Sequence, residues 1–397
     1  MKIVGIIAEY NPFHNGHAYH ISKAHEYGDA VVVIMSGSFV QRGEPAAYDK
    51  WVRTRWALAA GADVVLELPT VYCLQSAEGF ARGSIKLLAQ AGCDSICFGS
   101  EYADMDLFTL AADLFSKHSE AFAQELQSNL SEGMTFAKAR YNAFQKLTCN
   151  KQVLDALVLP NFILGVEYVL AGRTIAPSLD FHPIKRIGCE HNDETVKGEF
   201  ASAGAIRNFL AGNSDADIYR SVPTHVADYM MKTPPATLDS LESILLYKLR
   251  TMCTEQIAAV YGVGEGLEYA IKTAAAQPYL DDVLKLIKSK RYTLARIKRI
   301  LCCALLGIDK QTVEKSNAID RGYLRLLGYR ESKAELIRTI GKNVSIIARK
   351  ADMDKLTSIL SHMIALDCNA SDVQSLGFHT KEQRLAKRDY TEKIIVF

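Results

Sequence analysis

Several features that would place this chain outside the cell or in a membrane are missing from its 397 residues. The nine cysteines include no CxxC pair and mostly stand among apolar residues, which indicates reduced core thiols and no disulfide framework. No run approaches the ~20 apolar residues of a membrane span, and the first residues lack the small-residue cleavage site of a signal peptide. We therefore expect a cytoplasmic protein with no membrane partner.

Clustered metal ligands are also missing from the sequence. Cys93 and Cys97 could join histidines from elsewhere in a zinc site, but structural zinc sites need clustered ligands. The ordinary interpretation is that both are buried thiols. No metal site is predicted.

Net charge is close to zero but unevenly distributed. The formal charge of the whole chain is +1. Residues 217–397 hold 28 Lys and Arg against 21 Asp and Glu, whereas residues 1–216 hold 18 against 24. The carboxyl-terminal half is therefore the candidate surface for a polyanion.

The most informative stretch is residues 2–20, KIVGIIAEYNPFHNGHAYH. Ile3 to Ala8 form an unbroken apolar run, which predicts a strand buried on both faces of a parallel sheet. Pro12 ends that strand, and a helix is predicted from about His17. Backbone N–H groups and the helix dipole favour an anion such as phosphate at that helix N-terminus.

Two histidines, His14 and His17, lie in this turn on either side of Asn15 and Gly16. The glycine would let an anion approach the backbone closely, and both imidazoles can donate to phosphate oxygens as charge builds on them. Such a pair could equally be satisfied loop residues or half of a metal site. The strand–turn–helix setting favours the phosphate interpretation.

Alternating strands and helices predict an α/β domain with a parallel sheet. Further strands are predicted at residues 30–35, 63–68, 95–98 and 181–187. Ligands bind at the carboxyl edge of such sheets, where we expect Gln41, Arg42 and Glu44 of a polar loop, unless that loop is simply solvated. Gly99, at the same edge, would let a base or ribose lie against the backbone, or would only form a turn.

Other polar residues are expected near this edge. Asn161 follows Pro160 at a predicted helix start, where it would cap the helix or read an adenine or ribose. Arg186 ends a strand, and Ser202 and Arg207 belong to a loop that opens a helix. Two successive segments whose arginine side chains can bind anions suggest the second side of a triphosphate site.

Beyond residue 217 the sequence predicts only helices, at residues 238–252, 264–276, 280–288, 293–306, 311–315 and 332–340. Residues 285–299, the basic segment, carry seven basic residues and no acidic one. Cations bind RNA phosphates and an aromatic ring stacks on an unpaired base, although a solvated helix face is the alternative. The predicted RNA-binding residues are Lys288, Lys290, Arg291, Tyr292, Arg296, Lys298 and Arg299.

Nine segments give the chain a recognisable pattern: EYNPFHNGH, SGSFVQRGEPA, DKW, GADVVLELP, QSAEGFA, FGSE, LPNFILGVEY, IKRIG and KSKRYTLARIKRIL. Residues 14–17 match the HxGH signature of nucleotidyltransferases. Together the segments resemble the bacterial tRNA(Met) cytidine acetate ligase family. The similarity extends from residue 1 to about residue 328 and is densest up to residue 207. Gly204 departs from the family's SATxIR-type loop.

The resemblance implies an enzyme that activates acetate as acetyl-adenylate with ATP. It would then transfer the acetyl group to N4 of the wobble cytidine of elongator tRNA(Met), giving N4-acetylcytidine. His14 and His17 would be catalytic, with Mg²⁺ expected as the counterion of ATP. The implied ATP-binding residues are Ile7, Ala8, Glu9, Tyr10, Asn11, Pro12, Phe13, His14, Asn15, Gly16, His17, Ala18, Tyr19, His20, Gly99, Asn161, Arg186, Ile187, Ser202 and Arg207.

The predicted architecture is a Rossmann-like, parallel-sheet nucleotidyltransferase domain over residues 1–216. A mainly α-helical, basic domain that binds tRNA follows over residues 217–397. Two alternative functions are retained. A nucleotidyltransferase for a small metabolite would leave the basic half unexplained, and a non-catalytic RNA-binding protein with a relic nucleotide fold would leave the histidines unexplained. The oligomeric state is left open.

Overall fold

The computed structural model of the protein describes residues 1–117, 119–187, 198–212, 217–264, 266–289, 292–356 and 358–397. Its strands are β1 (Ile3–Ala8), β2 (Ala30–Ser36), β3 (Phe39–Val40), β4 (Glu44–Pro45), β5 (Val64–Leu68), β6 (Ser95–Ser100), β7 (Asp180–Lys185), β8 (Tyr323–Tyr329), β9 (Ser345–Ile347) and β10 (Ile395–Val396).

Eight of these described strands form one central sheet, in the order β10-β8-β5-β2-β1-β6-β7, with β9 beside β8. β5, β2, β1, β6 and β7 run parallel, and β8 is antiparallel to β5. The remaining two strands, β3 and β4, make a small hairpin. The predicted α/β fold with a parallel sheet is confirmed.

The helices are α1 (Asn15–Ala24), α2 (Lys50–Ala59), α3 (Thr70–Cys73), α4 (Ala77–Gln90), α5 (Met105–Lys117), α6 (Ser119–Ser131), α7 (Phe136–Leu147), α8 (Lys151–Ala156), α9 (Pro160–Ile175), α10 (Ala203–Leu210), α11 (Thr224–Lys232), α12 (Glu242–Thr251), α13 (Thr254–Ala259), α14 (Leu267–Ala274), α15 (Leu280–Ile287), α16 (Leu294–Leu306), α17 (Lys310–Asn317), α18 (Ala334–Gly341), α19 (Lys350–Met353), α20 (Ser358–Leu376) and α21 (Arg388–Thr391). Short 3₁₀ turns lie at Ile218–Arg220, Asp239–Leu241, Glu331–Lys333 and Glu382–Arg384.

The apolar runs form central strands because helices cover both faces of the sheet. Successive residues of a strand point to opposite faces, and Val31 and Val32 are both fully buried although they belong to different core clusters. Ile3 and Val4 divide in the same way. This two-sided burial explains why β1 and β2 carry almost no polar side chain.

The prediction that strands end at residue 217 is wrong. β8, β9 and β10 lie beyond that position and extend the sheet past β5. β8 was missed because Arg325 interrupts its apolar pattern, yet this side chain is buried against Glu67 and Asp389. α20 was also missed, since it buries polar residues such as Asp367 and so lacks a simple apolar stripe. The domain division at 216/217 stays a prediction.

Smaller boundary differences bear on the site. α1 begins at Asn15 instead of His17, and β6 continues to Ser100, so Gly99 lies within a strand. The polar loop predicted to carry Gln41, Arg42 and Glu44 spans residues 36–45, which are mostly buried and contain the β3–β4 hairpin. Across the described ranges, no helix has both the length and the apolar character needed to cross a membrane.

Candidate active site

The HxGH turn joins the carboxyl end of β1 to the N-terminus of α1. His14 occupies the N-cap position with an extended backbone, and its carbonyl accepts from the backbone N–H of His17 at 2.8 Å. The first helical N–H groups therefore lie at the carboxyl edge of the parallel sheet. This is the arrangement predicted for an anion site.

The two histidine rings stack on each other, with centroids 3.7 Å apart and planes inclined by 22°. The backbone N–H of His14 donates to Nδ1 of His17 at 3.3 Å. Since Nδ1 of His17 is an acceptor, a neutral ring must carry its hydrogen on Nε2. His17 can therefore offer an Nε2–H donor without being charged.

Burial keeps His14, His17 and His20 neutral. It is the main cause that lowers the pKa of His14 to about 3, with Arg186 and Arg207 adding to the effect. Burial, followed by His14, Arg186 and His20, holds the pKa of His17 well below its ordinary value. The pKa of His20 falls to about 4, and its Nε2 lies 3.0 Å from the Cys97 carbonyl.

Gly16 makes room for the imidazole of His14. A Cβ at Gly16 would lie 2.9 Å from the ring carbon Cε1 of His14, which is too close for an unstrained contact. The buried Nδ1 of His14 and the hydroxyl of Tyr10 have no hydrogen-bond partner in the described part of the chain. Of these two residues, His14 lines the adjoining cavity, so its Nδ1 is the one that a ligand at the turn could satisfy.

A cavity adjoins these rings and brings together residues from four separate segments. It is lined by His14, Gly16, His17, Tyr19, His20, Gly99, Ile184, Lys185, Arg186, Ile187, Phe200 and Ala201. The backbone N–H of Arg186 donates to the Ser100 carbonyl at 2.9 Å, which places the arginine beside the histidine turn. Eight of the predicted ATP-binding residues thus share one cavity.

The other predicted residues of the turn build its frame. Ile7, Ala8, Tyr10, Phe13 and Ala18 pack in the two core clusters. Pro12 is buried as well. These residues support the turn, and their role in ATP binding stays a prediction.

Two asparagines tie the turn to distant segments. The side-chain amide of Asn15 donates to the carbonyls of Glu199 and Arg220, at 3.0 and 2.9 Å. The side-chain oxygen of Asn11 accepts from the backbone N–H of Ala47 at 2.7 Å. Both side chains are already engaged in positioning the turn.

Arg53, which the sequence analysis missed, holds the ends of two strands. Its guanidinium donates to the carbonyl of Glu9 at 2.7 Å, to that of Ser36 at 2.8 Å, and to that of Gly37. The carboxylate of Glu9 accepts from the backbone N–H of Gln41 at 2.7 Å. Burial raises the pKa of Glu9, against this hydrogen bond and nearby arginines. The only sequence signal for this role of Arg53 was its position two residues after the DKW segment.

The expectation that Asn161 caps α9 is wrong, because Leu159 occupies the N-cap position. The carboxylate of Glu101, at the end of β6, supplies the cap by accepting from the backbone N–H of Phe162 at 2.9 Å. The amide of Asn161 donates to the same carboxylate at 2.7 Å. Glu101 was in the FGSE segment, but only its position opposite α9 reveals this contact.

The second predicted anion segment also contacts the turn. Ser202 caps α10 by accepting from the backbone N–H of Ala205 at 3.0 Å, and Arg207 donates to the Asn11 carbonyl at 2.6 Å. Burial lowers the pKa of Arg207. A Cβ at Gly204 would meet only Ser202 at an ordinary 3.6 Å, so this position has room for a side chain.

The basic segment is less exposed than predicted, and Lys290 and Arg291 lie outside the described residues. Tyr292 is only 9% exposed, and the guanidinium of Arg296 lies 4.6 Å from its ring centroid, so the ring is not presented at the surface. Lys298 pairs with Glu44 at 2.5 Å. Arg299 donates to the Gln41 carbonyl at 3.1 Å, whereas Lys288 is exposed.

A histidine turn between a parallel strand and a helix is the arrangement that the HxGH signature predicted for a nucleotidyltransferase. A family model described as HIGH Nucleotidyl Transferase matches residues 1–389. The tRNA(Met) cytidine acetate ligase of Caldanaerobacter subterraneus subsp. tengcongensis is 37% identical over 409 residues, covering 100% of both chains. That of Thermotoga maritima is 34% identical over 407 residues, covering 96% of this chain and 97% of the relative.

Solved structures agree with this assignment. The crystal structure of apo Thermotoga maritima TmcAL superposes with a TM-score of 0.91 at 33% identity, over 100% of both chains. The structure of the same relative bound with alpha-thio ATP gives 0.88 at 32% identity, covering 100% of this chain and 99% of that one. The chain belongs to the tRNA(Met) cytidine acetate ligase family, as its sequence motifs predicted.

Proposed function

We propose that this chain is an ATP-dependent ligase that acetylates N4 of the wobble cytidine of elongator tRNA(Met). An acetate oxygen attacks the α-phosphorus of ATP, the bond to the bridging α–β oxygen breaks, and pyrophosphate leaves. N4 of the cytidine then attacks the acetyl carbonyl carbon of the adenylate, AMP leaves, and N4 loses a proton. The full-length similarity to ligases of this name supports the substrates.

The neutral histidine pair is the observation that carries the chemistry. Negative charge moves onto the pyrophosphate as the α–β bond breaks, and a preorganised donor stabilises that charge most in a water-poor site. His17 lines the cavity with Nδ1 engaged and its hydrogen on Nε2. Arg186 also lines the cavity, and its fixed positive charge would act on the phosphates.

We place ATP at this cavity as a substrate, and the buried Nδ1 of His14 is one polar atom without a partner in the described structure that ATP would satisfy. The Thermotoga maritima relative, whose structure contains alpha-thio ATP, supports the assignment. In the described part of this chain no group of three or more His, Cys, Asp or Glu side chains could hold a metal ion. We therefore assign Mg²⁺ to the phosphates of ATP, as their counterion.

The tRNA is assigned to the carboxyl-terminal half, which carries the charge excess. Lys288 and Arg296 are exposed cations in the described part of the basic segment, and such side chains bind phosphates by releasing counterions. Lys298 and Arg299 contribute mainly through their contacts with residues 41–44. The division of labour between residues 1–216 and 217–397 is part of this proposal.

The test is to incubate the purified protein with ATP, labelled acetate and total tRNA, and to digest the RNA to nucleosides. Label in N4-acetylcytidine is expected, together with acetate-dependent exchange of pyrophosphate into ATP. Nucleotidyl transfer to a small metabolite without labelled RNA would support the first alternative. Binding of tRNA with neither reaction would support a non-catalytic protein.

A further inference from the structure

A second cavity, of about 500 Å³, lies apart from the histidine turn. α4 and α9 provide one part of its lining, the helices α5, α6 and α7 another, and residues 261–300 the rest. None of the described residues that line the histidine cavity lines this one. Its volume is that of a small-molecule site, ~300–1,000 Å³.

Aromatic rings form much of its apolar lining. Phe115 and Phe122 contribute from the amino-terminal helices and Tyr261 from the carboxyl-terminal half. Phe122 is held in place by stacking on Phe144, with centroids 4.5 Å apart. Rings held in a fixed position can stack on a flat aromatic ligand. Every nucleobase has a face for such stacking.

Charged groups among these rings can read the edge of such a ligand. Glu78 and Glu167 line the cavity together with Arg140. Burial, followed by the charge of Glu78, raises the pKa of Glu167 to about 7, and Arg140 opposes that shift. A carboxyl group accepts hydrogen bonds from an exocyclic amine, and a guanidinium donates to ring nitrogens and carbonyls.

The cavity is continuous with the basic segment. Arg296 and Arg299 line it, and Thr293 and Arg296 are exposed at its edge. A polyanion held along the basic segment would therefore present its bases at the cavity. This continuity favours a base that belongs to RNA over a free nucleotide.

We propose that this cavity receives one unpaired, amino-bearing base of the tRNA anticodon loop. The base would stack on the aromatic lining and place its amine against Glu78 and Glu167. This inference rests on the proposed function, because it requires tRNA as the substrate. It explains why two arginines of the basic segment, Arg296 and Arg299, line the same cavity as residues of α4 and α9.

Two variants of different kinds test the proposal. Glu167→Gln removes the acidic acceptor and keeps the shape, and Ala77→Phe fills the space beside half-buried Ala77. Matched controls are Glu132→Gln and Arg82→Phe, both at exposed positions outside the cavity lining. Each protein is assayed for acetate-dependent pyrophosphate exchange and for acetyl transfer to full-length tRNA(Met) assembled by ligation, intact or with one abasic position in the anticodon loop.

Both cavity variants should lose roughly tenfold or more in kcat/KM for transfer to intact tRNA, the size expected for one stacked base. The loss should fall on transfer and not on exchange. One abasic tRNA should lower wild-type transfer similarly, and the cavity variants should lose nothing further with it. Losses that multiply at every abasic position, or wild-type transfer by both variants, would overturn the proposal. If the wild type acetylates no tRNA, the proposed function fails instead.

Discussion

The hydrogen bonding of His17 allows its two ring nitrogens to be tested separately. Nδ1 accepts from the backbone N–H of His14 at 3.3 Å, which leaves the hydrogen on Nε2. Asparagine places an oxygen near the position of Nδ1, whereas glutamine places an amide nitrogen near that of Nε2. His17→Asn therefore keeps the contact with His14 and loses the donor, and His17→Gln does the reverse.

The two variants should separate catalysis from stability. Loss of one donor to developing charge typically costs ~10²–10³ in rate, or ~2.7–4 kcal/mol of transition-state stabilisation, so His17→Asn should lose that much exchange activity. His17→Gln leaves a buried N–H unpaired, which costs ~1–3 kcal/mol. The 3.3 Å length of the bond places the expected loss of unfolding free energy near the low end, ~1 kcal/mol.

Acetate-dependent ATP–pyrophosphate exchange measures the first effect, and urea denaturation followed by circular dichroism measures the second. His17→Asn should unfold at the wild-type urea concentration, which serves as the folding control for its low activity. Wild-type exchange by His17→Asn would refute the role given to Nε2. So would an exchange rate for His17→Gln that is lower than that of His17→Asn.

Three further predictions concern stability, pH and tRNA. Lys50 is fully buried between Glu67 and Asp389, with its ammonium 2.8 and 2.5 Å from their carboxylate oxygens. Lys50→Met should therefore lower the unfolding free energy by ~3–5 kcal/mol in urea denaturation. The control Lys285→Met removes a cation from an exposed ion pair and should cost less than ~1 kcal/mol. The folded-state pKa of His20 is lowered to about 4, so below pH ~6.5 the unfolded chain binds a proton at His20 that the folded chain does not bind. The unfolding free energy should therefore decrease as the pH falls from ~6.5 toward 4. In urea denaturation, His20→Gln should lose less unfolding free energy than the wild type over that window. Lys288→Ala combined with Arg296→Ala should lower the affinity for tRNA in filter binding. The slope of log K against log salt concentration should decrease in magnitude by ~0.7–0.9 per lost phosphate contact. An unchanged slope would show that these two side chains are solvated charges that do not contact phosphates.

The sequence predicted the first half of the fold well because its signals are local. An apolar run such as Ile3 to Ala8, followed by a proline turn, has few structural solutions, and both faces of β1 are buried as expected. The turn placed His14 and His17 together for the same reason, since they are only three positions apart along the chain. The cap of α2 is equally local, because Asp49, the first residue of the DKW segment, accepts from the backbone N–H of Val52.

Contacts between distant residues could not be predicted in this way. Glu101 and Asn161 are joined only because β6 and α9 converge, 60 positions apart. β8 contains Arg325, whose partners Glu67 and Asp389 come from opposite ends of the chain. A pattern-based assignment treats an arginine in a strand as exposed, since burial of its charge requires partners that pattern does not reveal.

The basic segment belongs to the positively charged carboxyl-terminal half, yet two of its side chains contact residues of the amino-terminal half. Lys298 reaches Glu44 at 2.5 Å, and Arg299 donates to the carbonyl of Gln41. The backbone N–H of Gln41 in turn donates to the carboxylate of Glu9, directly after β1. Gly43 completes this contact, because its φ of +77° and its approach to the backbone of Arg299 leave no room for a Cβ.

These contacts join the predicted tRNA-binding helix to the end of the strand that carries the HxGH turn. Replacing Lys298 or Arg299 would therefore disturb residues 41–44 and, through them, Glu9, so a loss of tRNA binding in such variants could not be assigned to lost phosphate contacts. Lys288 and Arg296 lack contacts of this kind with the 41–44 segment in the described structure. They are the positions at which RNA binding can be weakened while the frame of the ATP site is left intact.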